Sequence, residues 1–272
     1  MLSPIAVAVV QFNPSLDREA NLETMSSYAA LAAQRGARVV VFPEYSQAFT
    51  AQLGAWMGEV AEPDDGSFVT ALTEIANDLG IVIVAGMLER TTDAEKPYNA
   101  VVAVGEGRML AKSRKLHLYD AFGTTESDWL QAGDPLDAPA TFEIDGMRFG
   151  LQTCYDLRFP EVSRRLVDAG AQVLVIPAEW VRGPLKEHHW QTLLRARAIE
   201  NTVAVAAADH APPVAVGHSC IIDARGVVTA KVGVEQGVAV GWIEPDEIVE
   251  VRRTNPALSL RKYAVTALDT AK

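Results

Sequence analysis

Short apolar runs alternate along the chain with longer stretches in which apolar residues recur at helical spacing. The runs are rich in Val and Ile and are bounded by Gly, Pro or Asp, which is typical of buried strands. They predict nine strands, over Ile5–Gln11, Arg38–Phe42, Ile81–Ala85, Ala100–Val104, Arg148–Thr153, Gln172–Ile176, Val203–Ala207, Ser219–Asp223 and Val238–Ile243.

The periodic stretches predict four helices. Apolar residues within 68–79 are spaced by four, three and four positions, and Gly80 follows as a stop signal. Three more helices are expected over about 18–35, from Pro160 to Gly170, and over about 184–201. Because helices and strands alternate through most of the chain, the pattern favours an α/β fold. Hairpin-like stretches at 100–108, 142–149 and 219–241 predict that the sheets are mixed.

One order of elements occurs twice. A helix ending at Gly36 is followed by Val39–Pro43, and a helix ending at Gly170, 134 residues later, is followed by Val173–Pro177. Two similar halves would produce this repeat, although helix, Gly, strand and Pro also follow one another in unrelated α/β proteins. No linker interrupts the chain, so one domain over 1–272 is expected. Long loops at about 46–65 and 119–139 are candidates for functional segments.

Composition narrows the class of protein. The 272 residues are 49% hydrophobic and 22% charged, which excludes a disordered chain. A net charge of −11 makes nucleic acid and anionic membranes poor partners. Two cysteines cannot form a disulfide framework and fit a reducing compartment. No targeting segment and no apolar run of about 18 to 20 residues is visible, so a cytoplasmic location is expected.

Three residues could carry chemistry. Glu44 follows a buried strand, where a partly desolvated carboxylate can act as a general base; the alternative is a solvated loop residue. Cys154 ends another strand near backbone N–H groups that could form an oxyanion hole; the alternative is a structural thiol, which we expect for Cys220. Lys115 could stabilise an oxyanion or lie on a solvated basic edge strand.

Cofactor signals are missing from the sequence. It contains neither a phosphate-binding P-loop nor a G-x-G-x-x-G motif, and His188–His189 lacks the spacing of a zinc helix. Neither an organic cofactor nor a metal ion is therefore expected.

Taken together, these segments resemble the nitrilase superfamily of carbon–nitrogen hydrolases over essentially the whole chain. The resemblance lies in Phe42–Glu44, Arg114–Asp120, Cys154–Glu161, Arg195–Asn201 and Gly217–Ser219. It implies a four-layer α-β-β-α sandwich with two mixed sheets and internal pseudo-symmetry. It also implies a homodimer or higher homo-oligomer, assembled through the helices after Pro160 and around Trp190, with the tail (about 250–272) reaching the partner.

The same resemblance implies a catalytic set. Cys154 would attack the carbonyl carbon of a small amide, Glu44 would take the thiol proton, and a thioester would form. Lys115 and the backbone N–H of Tyr155 would stabilise the oxyanion. Glu126 falls where the family often has a second glutamate, and it would help to position the water that hydrolyses the thioester.

The sequence after the nucleophile bears on the substrate. Tyr155–Asp156 looks like the amidase and carbamoylase branches, whereas nitrile-hydrolysing members usually carry Trp-Glu there. The whole segment is most similar to the omega-amidases and deaminated glutathione amidases, which implies a small amide bearing a carboxylate, such as 2-oxoglutaramate. Arg158 and Arg182 are candidates to bind that carboxylate; alternatively, Arg158 pairs with a neighbouring acid.

One segment departs from the omega-amidase pattern. Where those enzymes usually read Gly-Ala-Phe or Ala-Ala-Phe, this chain reads Ala178-Glu179-Trp180. Glu179 and Trp180 are therefore candidate substrate contacts, and Glu179 would disfavour an anionic substrate and could favour an amine. Alternatively, Glu179 is a loop residue that points outwards and forms a salt bridge. Hydrolysis of an N-carbamoyl amino acid or a nitrile on the same triad remains open, and so does a catalytically idle binding homologue.

Overall fold

The computed structural model of the protein describes residues 3–92 and 95–268. The twelve strands in those ranges are β1 (Ile5–Gln11), β2 (Val39–Val41), β3 (Val82–Glu89), β4 (Tyr98–Gly105), β5 (Arg108–Arg114), β6 (Thr141–Ile144), β7 (Met147–Leu151), β8 (Val173–Pro177), β9 (Ala204–Ala208), β10 (Cys220–Ile222), β11 (Val228–Lys231) and β12 (Gly237–Ile243). The α-helices found there are α1 (Arg18–Gln34), α2 (Trp56–Val60), α3 (Ser67–Leu79), α4 (Pro160–Asp168), α5 (Lys186–Asn201) and α6 (Pro245–Thr254).

The helix ends follow signals in the sequence. The Asp17 carboxylate accepts hydrogen bonds from the backbone N–H groups of Glu19 and Ala20, which caps the start of α1. α3 ends at Gly80, whose φ of 64° lies in the left-handed region that glycine adopts without strain. α4 begins at Pro160, whose missing N–H would have had no partner in the first turn. The end of α3 at Gly80 and the start of α4 at Pro160 are those that the sequence predicts.

The strands form two six-stranded mixed sheets. The first has the order β12-β1-β2-β3-β4-β5, with β1, β2 and β3 parallel and the outer strands antiparallel. The second has the order β11-β10-β9-β8-β7-β6, with β7, β8 and β9 parallel. The arrangement of the second sheet therefore repeats that of the first.

The two sheets pack face to face between two layers of helices. Val41 and Val175 contribute to the core between the sheets. α1 and α3 cover the outer face of the first sheet with side chains such as Met25 and Leu72. α4 and α5 cover the second sheet, where Trp190 is fully buried. This order of layers confirms the predicted four-layer α-β-β-α sandwich.

The internal repeat has a structural counterpart. Gly36 and Gly170 each follow a helix with a positive φ, of 90° and 96° respectively. The chain then enters β2 or β8, each of which is the middle parallel strand of its sheet. The sequence echo thus marks equivalent places in the two halves.

Three parts of the chain differ from the expected pattern. α2 lies inside the predicted loop at 46–65, and α6 was not expected, although Pro245, two acids and two terminal arginines are ordinary helix signals. β12 does not continue the hairpin of the second sheet but pairs over seven residues with β1 in the first. Local patterning carries no information about such a distant partner.

No helix in the described ranges is long and apolar enough to cross a membrane.

Candidate active site

The four predicted catalytic residues come from segments that follow strands. Glu44 lies three residues beyond β2, Lys115 directly follows β5, and Cys154 lies three residues beyond β7. Glu126 begins a short 3-10 helix, Glu126–Asp128, within the long loop before β6. All four side chains line one cavity, so the structure brings together residues that are up to 110 positions apart in the sequence.

A buried ammonium lies between two buried carboxylates. Lys115 Nζ is 2.9 Å from Glu44 Oε1, and it is 3.0 and 2.9 Å from the two carboxylate oxygens of Glu126. Lys115 is 2% exposed and each glutamate is 1% exposed. Removing one partner would leave a charge without compensation in a medium of low polarity, which is costly. The three side chains therefore fix one another's positions.

Uncharged donors complete this cluster. Asn99 Nδ2 donates to Glu44 Oε1 at 2.6 Å and to Glu126 Oε1 at 3.2 Å. The Tyr45 hydroxyl and the backbone N–H of Tyr119 donate to Glu126. Asn99 is not predictable as a site residue from the sequence, because an asparagine at the start of an apolar strand carries no local signal of a site.

The surroundings shift the acidity of all three charged groups. Burial raises the pKa of Glu44, and the neighbouring Glu126 adds to this effect, although Lys115 opposes it. Burial alone would lower the pKa of Lys115, but the carboxylates of Glu126 and Glu44 outweigh it and raise the pKa well above its usual range. Burial would raise the pKa of Glu126, but Lys115 and several hydrogen bonds lower it. Glu126 is thus held as the anion, while Glu44 is the better proton acceptor.

Cys154 presents its thiol to this cluster from a strained turn. It begins a 3-10 helix, Cys154–Arg158, with a φ of 44°, which a residue with a Cβ rarely adopts and which is typical of functional sites. Sγ lies 3.5 Å from the Glu179 backbone oxygen, and Glu44 Oε2 accepts from the Glu179 backbone N–H at 2.7 Å. Burial, together with Glu44, raises the pKa of the Cys154 thiol well above its usual range. The thiol is therefore protonated at neutral pH and would need a base in order to act as a nucleophile.

One aspartate connects the lysine and cysteine segments. The Asp156 carboxylate accepts from the backbone N–H groups of Leu116 at 3.4 Å and His117 at 2.9 Å. It also lies 2.8 Å from His117 Nδ1. Since Asp156 is two residues beyond Cys154 and Leu116 directly follows Lys115, this carboxylate sets the spacing between the two segments.

The cavity next to Cys154 has a volume of about 130 Å³. Tyr155, Glu179 and Trp180, predicted as site residues, line it together with the four catalytic candidates. Arg158 lies beside this lining, with its guanidinium carbon 4.9 Å from the centre of the Trp180 ring; it forms no ion pair with Asp156 or Glu161. Arg182 is exposed and does not belong to the lining, so it is poorly located for the predicted contact with substrate.

The Glu179 side chain is surrounded by other acids. Burial raises its pKa well above that of an ordinary glutamate, and Glu44 and Asp209 add to the shift. These surroundings keep Glu179 neutral to a higher pH than an ordinary glutamate. The predicted repulsion of an anionic substrate requires the charged form of Glu179, which these surroundings disfavour.

Metal ligation has no structural support in residues 3–92 and 95–268. Within these ranges, no three His, Cys, Asp or Glu side chains are grouped so that they could hold a metal ion. The paired acids Glu44 and Glu126 have Lys115 between them instead. The charged and nucleophilic side chains that meet at the cavity include a thiol, two carboxylates and an ammonium.

Comparison with known proteins identifies the family. The carbon–nitrogen hydrolase family model matches residues 6–253. The chain belongs to this family. The predicted membership of the nitrilase superfamily is thereby confirmed, and so is the predicted class of enzyme, a carbon–nitrogen hydrolase acting on non-peptide amide bonds.

Three similar proteins illustrate the relationship. This carbon–nitrogen hydrolase is 36% identical over 258 residues to the deaminated glutathione amidase of Escherichia coli O157:H7. The alignment covers 95% of this chain and 97% of the relative. It is 32% identical over 285 residues to omega-amidase NIT2 of Homo sapiens, with 100% of both chains covered. The crystal structure of Saccharomyces cerevisiae Nit3, a member of branch 10 of the nitrilase superfamily, matches with a TM-score of 0.84 at 28% identity, covering 96% of this chain and 98% of Nit3.

Proposed function

We propose that this enzyme hydrolyses the terminal amide of a short dicarboxylic acid, such as 2-oxoglutaramate, through a thioester on Cys154. The observation that carries the proposal is the shared cavity of Cys154, Glu44, Lys115 and Glu126. A protonated thiol, a base with a raised pKa and a fixed ammonium are the groups that amide hydrolysis through a thioester requires.

In the first half of the reaction, Sγ of Cys154 attacks the amide carbonyl carbon while Glu44 accepts the thiol proton. The negative charge that develops on the carbonyl oxygen is stabilised by the Lys115 ammonium and the backbone N–H of Tyr155. Loss of one such donor typically reduces the rate by about 10²- to 10³-fold. Glu44 then returns its proton to the nitrogen, the carbon–nitrogen bond breaks, and ammonia leaves with a thioester remaining on Cys154.

In the second half, water attacks the thioester carbon. Glu44 accepts a proton from the water, and Glu126 holds Lys115 in place for the second oxyanion. The carbon–sulfur bond breaks, the proton returns to Sγ, and the carboxylic acid leaves. The sum is one amide and one water converted to one acid and one ammonia, with the enzyme regenerated.

Two observations support a small dicarboxylate monoamide. A cavity of about 130 Å³ lies well below the range of roughly 300–1,000 Å³ that is usual for drug-sized ligands. The human relative named omega-amidase also matches over its full length. A neutral Glu179 would leave the cavity accessible to an anion.

A second candidate substrate is deaminated glutathione, because the relative that bears this name is 36% identical to the chain. Both substrates contain the same 2-oxo dicarboxylic acyl group and differ in the amine that leaves, which is ammonia in one case and cysteinylglycine in the other. The same thioester would therefore form on Cys154 from either substrate.

The test is a panel of amides assayed for both amine products. We expect the largest kcat/KM for 2-oxoglutaramate, lower values for succinamate and glutamine, and little reaction of a carbamoyl amino acid or an aliphatic nitrile. Mass spectrometry of the enzyme quenched during turnover should show the acyl adduct on Cys154. Cys220, which is buried in β10, provides the matched control. Full activity of Cys154→Ala, or an adduct on Cys220, would overturn the proposal.

Assembly and location are proposed alongside the activity. We infer a homodimer formed through the outer faces of α4 and α5, where Ile199 is half exposed, with the tail beyond α6 extending towards the partner. A reducing, cytoplasmic setting suits the free thiol of Cys154. Light scattering during gel filtration tests the dimer, since a monomeric mass at micromolar concentration contradicts it.

A further inference from the structure

Lys186 is a buried cation in the cavity that the sequence analysis did not identify. It is the first residue of α5 and only 5% exposed, and it lines the cavity with Cys154 and Glu179. As one lysine in a predicted helix it carries no sequence signal. Its place in the fold, next to the proposed nucleophile, raises the question of what its charge binds.

The free protein compensates this charge poorly. Lys186 Nζ donates one hydrogen bond, to the Tyr119 hydroxyl at 2.7 Å, and no carboxylate of the described residues forms an ion pair with it. Burial lowers the pKa of Lys186 and the nearby guanidinium of Arg158 lowers it further, while the smaller effects of Cys154 and Glu179 oppose this shift. The start of a helix also disfavours a cation, because the backbone dipoles leave partial positive charge there. Each of these costs would be reduced by a bound anion.

The surrounding groups hold Lys186 in this unfavourable place. The Trp180 indole N–H donates to the Lys186 backbone oxygen at 2.9 Å. The rings of Tyr119 and Phe122 have their centres 4.6 and 4.5 Å from Nζ, so the ammonium is also attracted to aromatic faces. Leu185, directly before Lys186, has a φ of 62°. A residue with a branched side chain rarely adopts this backbone conformation. Leu185 is also the residue at which the chain turns into α5.

We propose that Lys186 Nζ and the Tyr119 hydroxyl together bind the carboxylate of the substrate whose amide reacts at Cys154. The inference rests on the proposed amidase function and names the residue that makes the cavity select an anionic amide. An ammonium keeps donors free after one hydrogen bond. Because the Tyr119 oxygen accepts from Lys186, its own proton has no acceptor among the described residues and is available to the same carboxylate.

The chemistry of the cavity favours a carboxylate over a bulkier anion. A cavity of about 130 Å³ already has to hold the reacting amide, and only one ammonium lines it besides Lys115. Lys115 is engaged with Glu44 and Glu126. Lys186 is thus the cation in this lining that remains available for a single negative charge.

The test compares two amides of equal chain length that differ in their terminal group, which is negatively charged in one and uncharged in the other. 4-Carbamoylbutanoate ends in a carboxylate, and pentanamide ends in a methyl group. We expect Lys186→Gln to lower kcat/KM for the anionic amide by about 10- to 100-fold, the loss typical of one hydrogen bond to a charged group, and to leave pentanamide unchanged within about twofold. Lys186→Arg should retain more of the anionic activity than Lys186→Gln. Lys231→Gln, which removes an exposed charge outside the cavity, is the matched control.

A binding measurement separates this inference from the proposed function. Calorimetric titration with glutarate should show at least tenfold weaker binding to Lys186→Gln than to the wild type. If the wild type hydrolyses neither amide, the proposed function fails, and the glutarate comparison still decides the role of Lys186. Equal losses on both amides, or unchanged glutarate binding, would overturn the inference.

Discussion

Gly86 lies in β3 directly against the backbone of the proposed base. A Cβ at this position would come within 2.5 Å of the Tyr45 nitrogen and 2.7 Å of the Glu44 Cα. The Gly86 N–H also donates to the Pro43 oxygen at 3.1 Å, so a backbone hydrogen bond holds β3 close to the segment that carries Glu44. Any side chain here must push the segment that carries Glu44 away from the sheet.

The size of that movement follows from these contacts. Ordinary van der Waals contact begins near 3.4 Å, so the shortest contact requires a shift of about 0.9 Å in Gly86→Ala. A displacement of about 1 Å at a reacting group can cost about 10²-fold in rate. Overpacking a core typically costs about 1–3 kcal/mol. In a chain of this size, each kcal/mol corresponds to a fall of about 2–4 °C in melting temperature.

Steady-state kinetics and calorimetry would measure both effects. We expect Gly86→Ala to lose about 10- to 100-fold in kcat on 2-oxoglutaramate, because the segment that is displaced carries the proposed base and part of the cavity lining. Gly237→Ala is the matched control, since its Cβ would meet only Val232 at 3.7 Å. If Gly86→Ala keeps the wild-type kcat and melting temperature, the close packing of β3 does not fix the position of Glu44.

Three further predictions concern charge and hydrogen bonding. Since burial raises the pKa of Glu44 and the base must be ionised, a pH profile of kcat/KM should fall towards acid with a midpoint above 4.5; a midpoint at or below 4.5 contradicts its role. Burial also raises the pKa of Glu179 above its unfolded value of 4.5. Because the unfolded chain releases this proton more readily than the folded protein, the free energy of unfolding falls as pH rises beyond 4.5. Glu179→Gln should therefore raise the melting temperature more at pH 8 than at pH 4.5, and an equal effect at both would refute this. Asn99→Ala removes hydrogen bonds of 2.6 and 3.2 Å to buried carboxylates, each worth about 1.5–3 kcal/mol, and should lower both kcat and the melting temperature; a silent substitution would show that the other donors order the pair without Asn99.

The sequence predicts those features that depend on local pattern. Gly80 and Pro160 mark helix boundaries because their backbone preferences act within a few residues. Glu44, Lys115 and Cys154 follow strands, and the structure brings all three to one cavity. Their assignment as catalytic residues stays a prediction that the experiments above address.

Features that depend on distant packing were not predictable in this way. Asn99 contacts two acids that are 55 and 27 residues away in the sequence, and only the assembled sheets bring them together. Lys186 and Arg182 are four residues apart and alike in charge, yet one faces the cavity and the other lies exposed. Leu185, which lies between them in the sequence, has a left-handed backbone conformation, and this conformation of a leucine has no sequence signature.

The pairing of β1 with β12 has a consequence for how the protein is made. β1 is synthesised long before its outer neighbour β12, which lies at residues 237–243. Until those residues emerge, β1 has one unpaired edge of seven residues that neighbouring nascent chains could occupy. The first sheet therefore cannot be completed until residues 237–243 have been synthesised, and a chain truncated before residue 237 would have an open, apolar edge on β1.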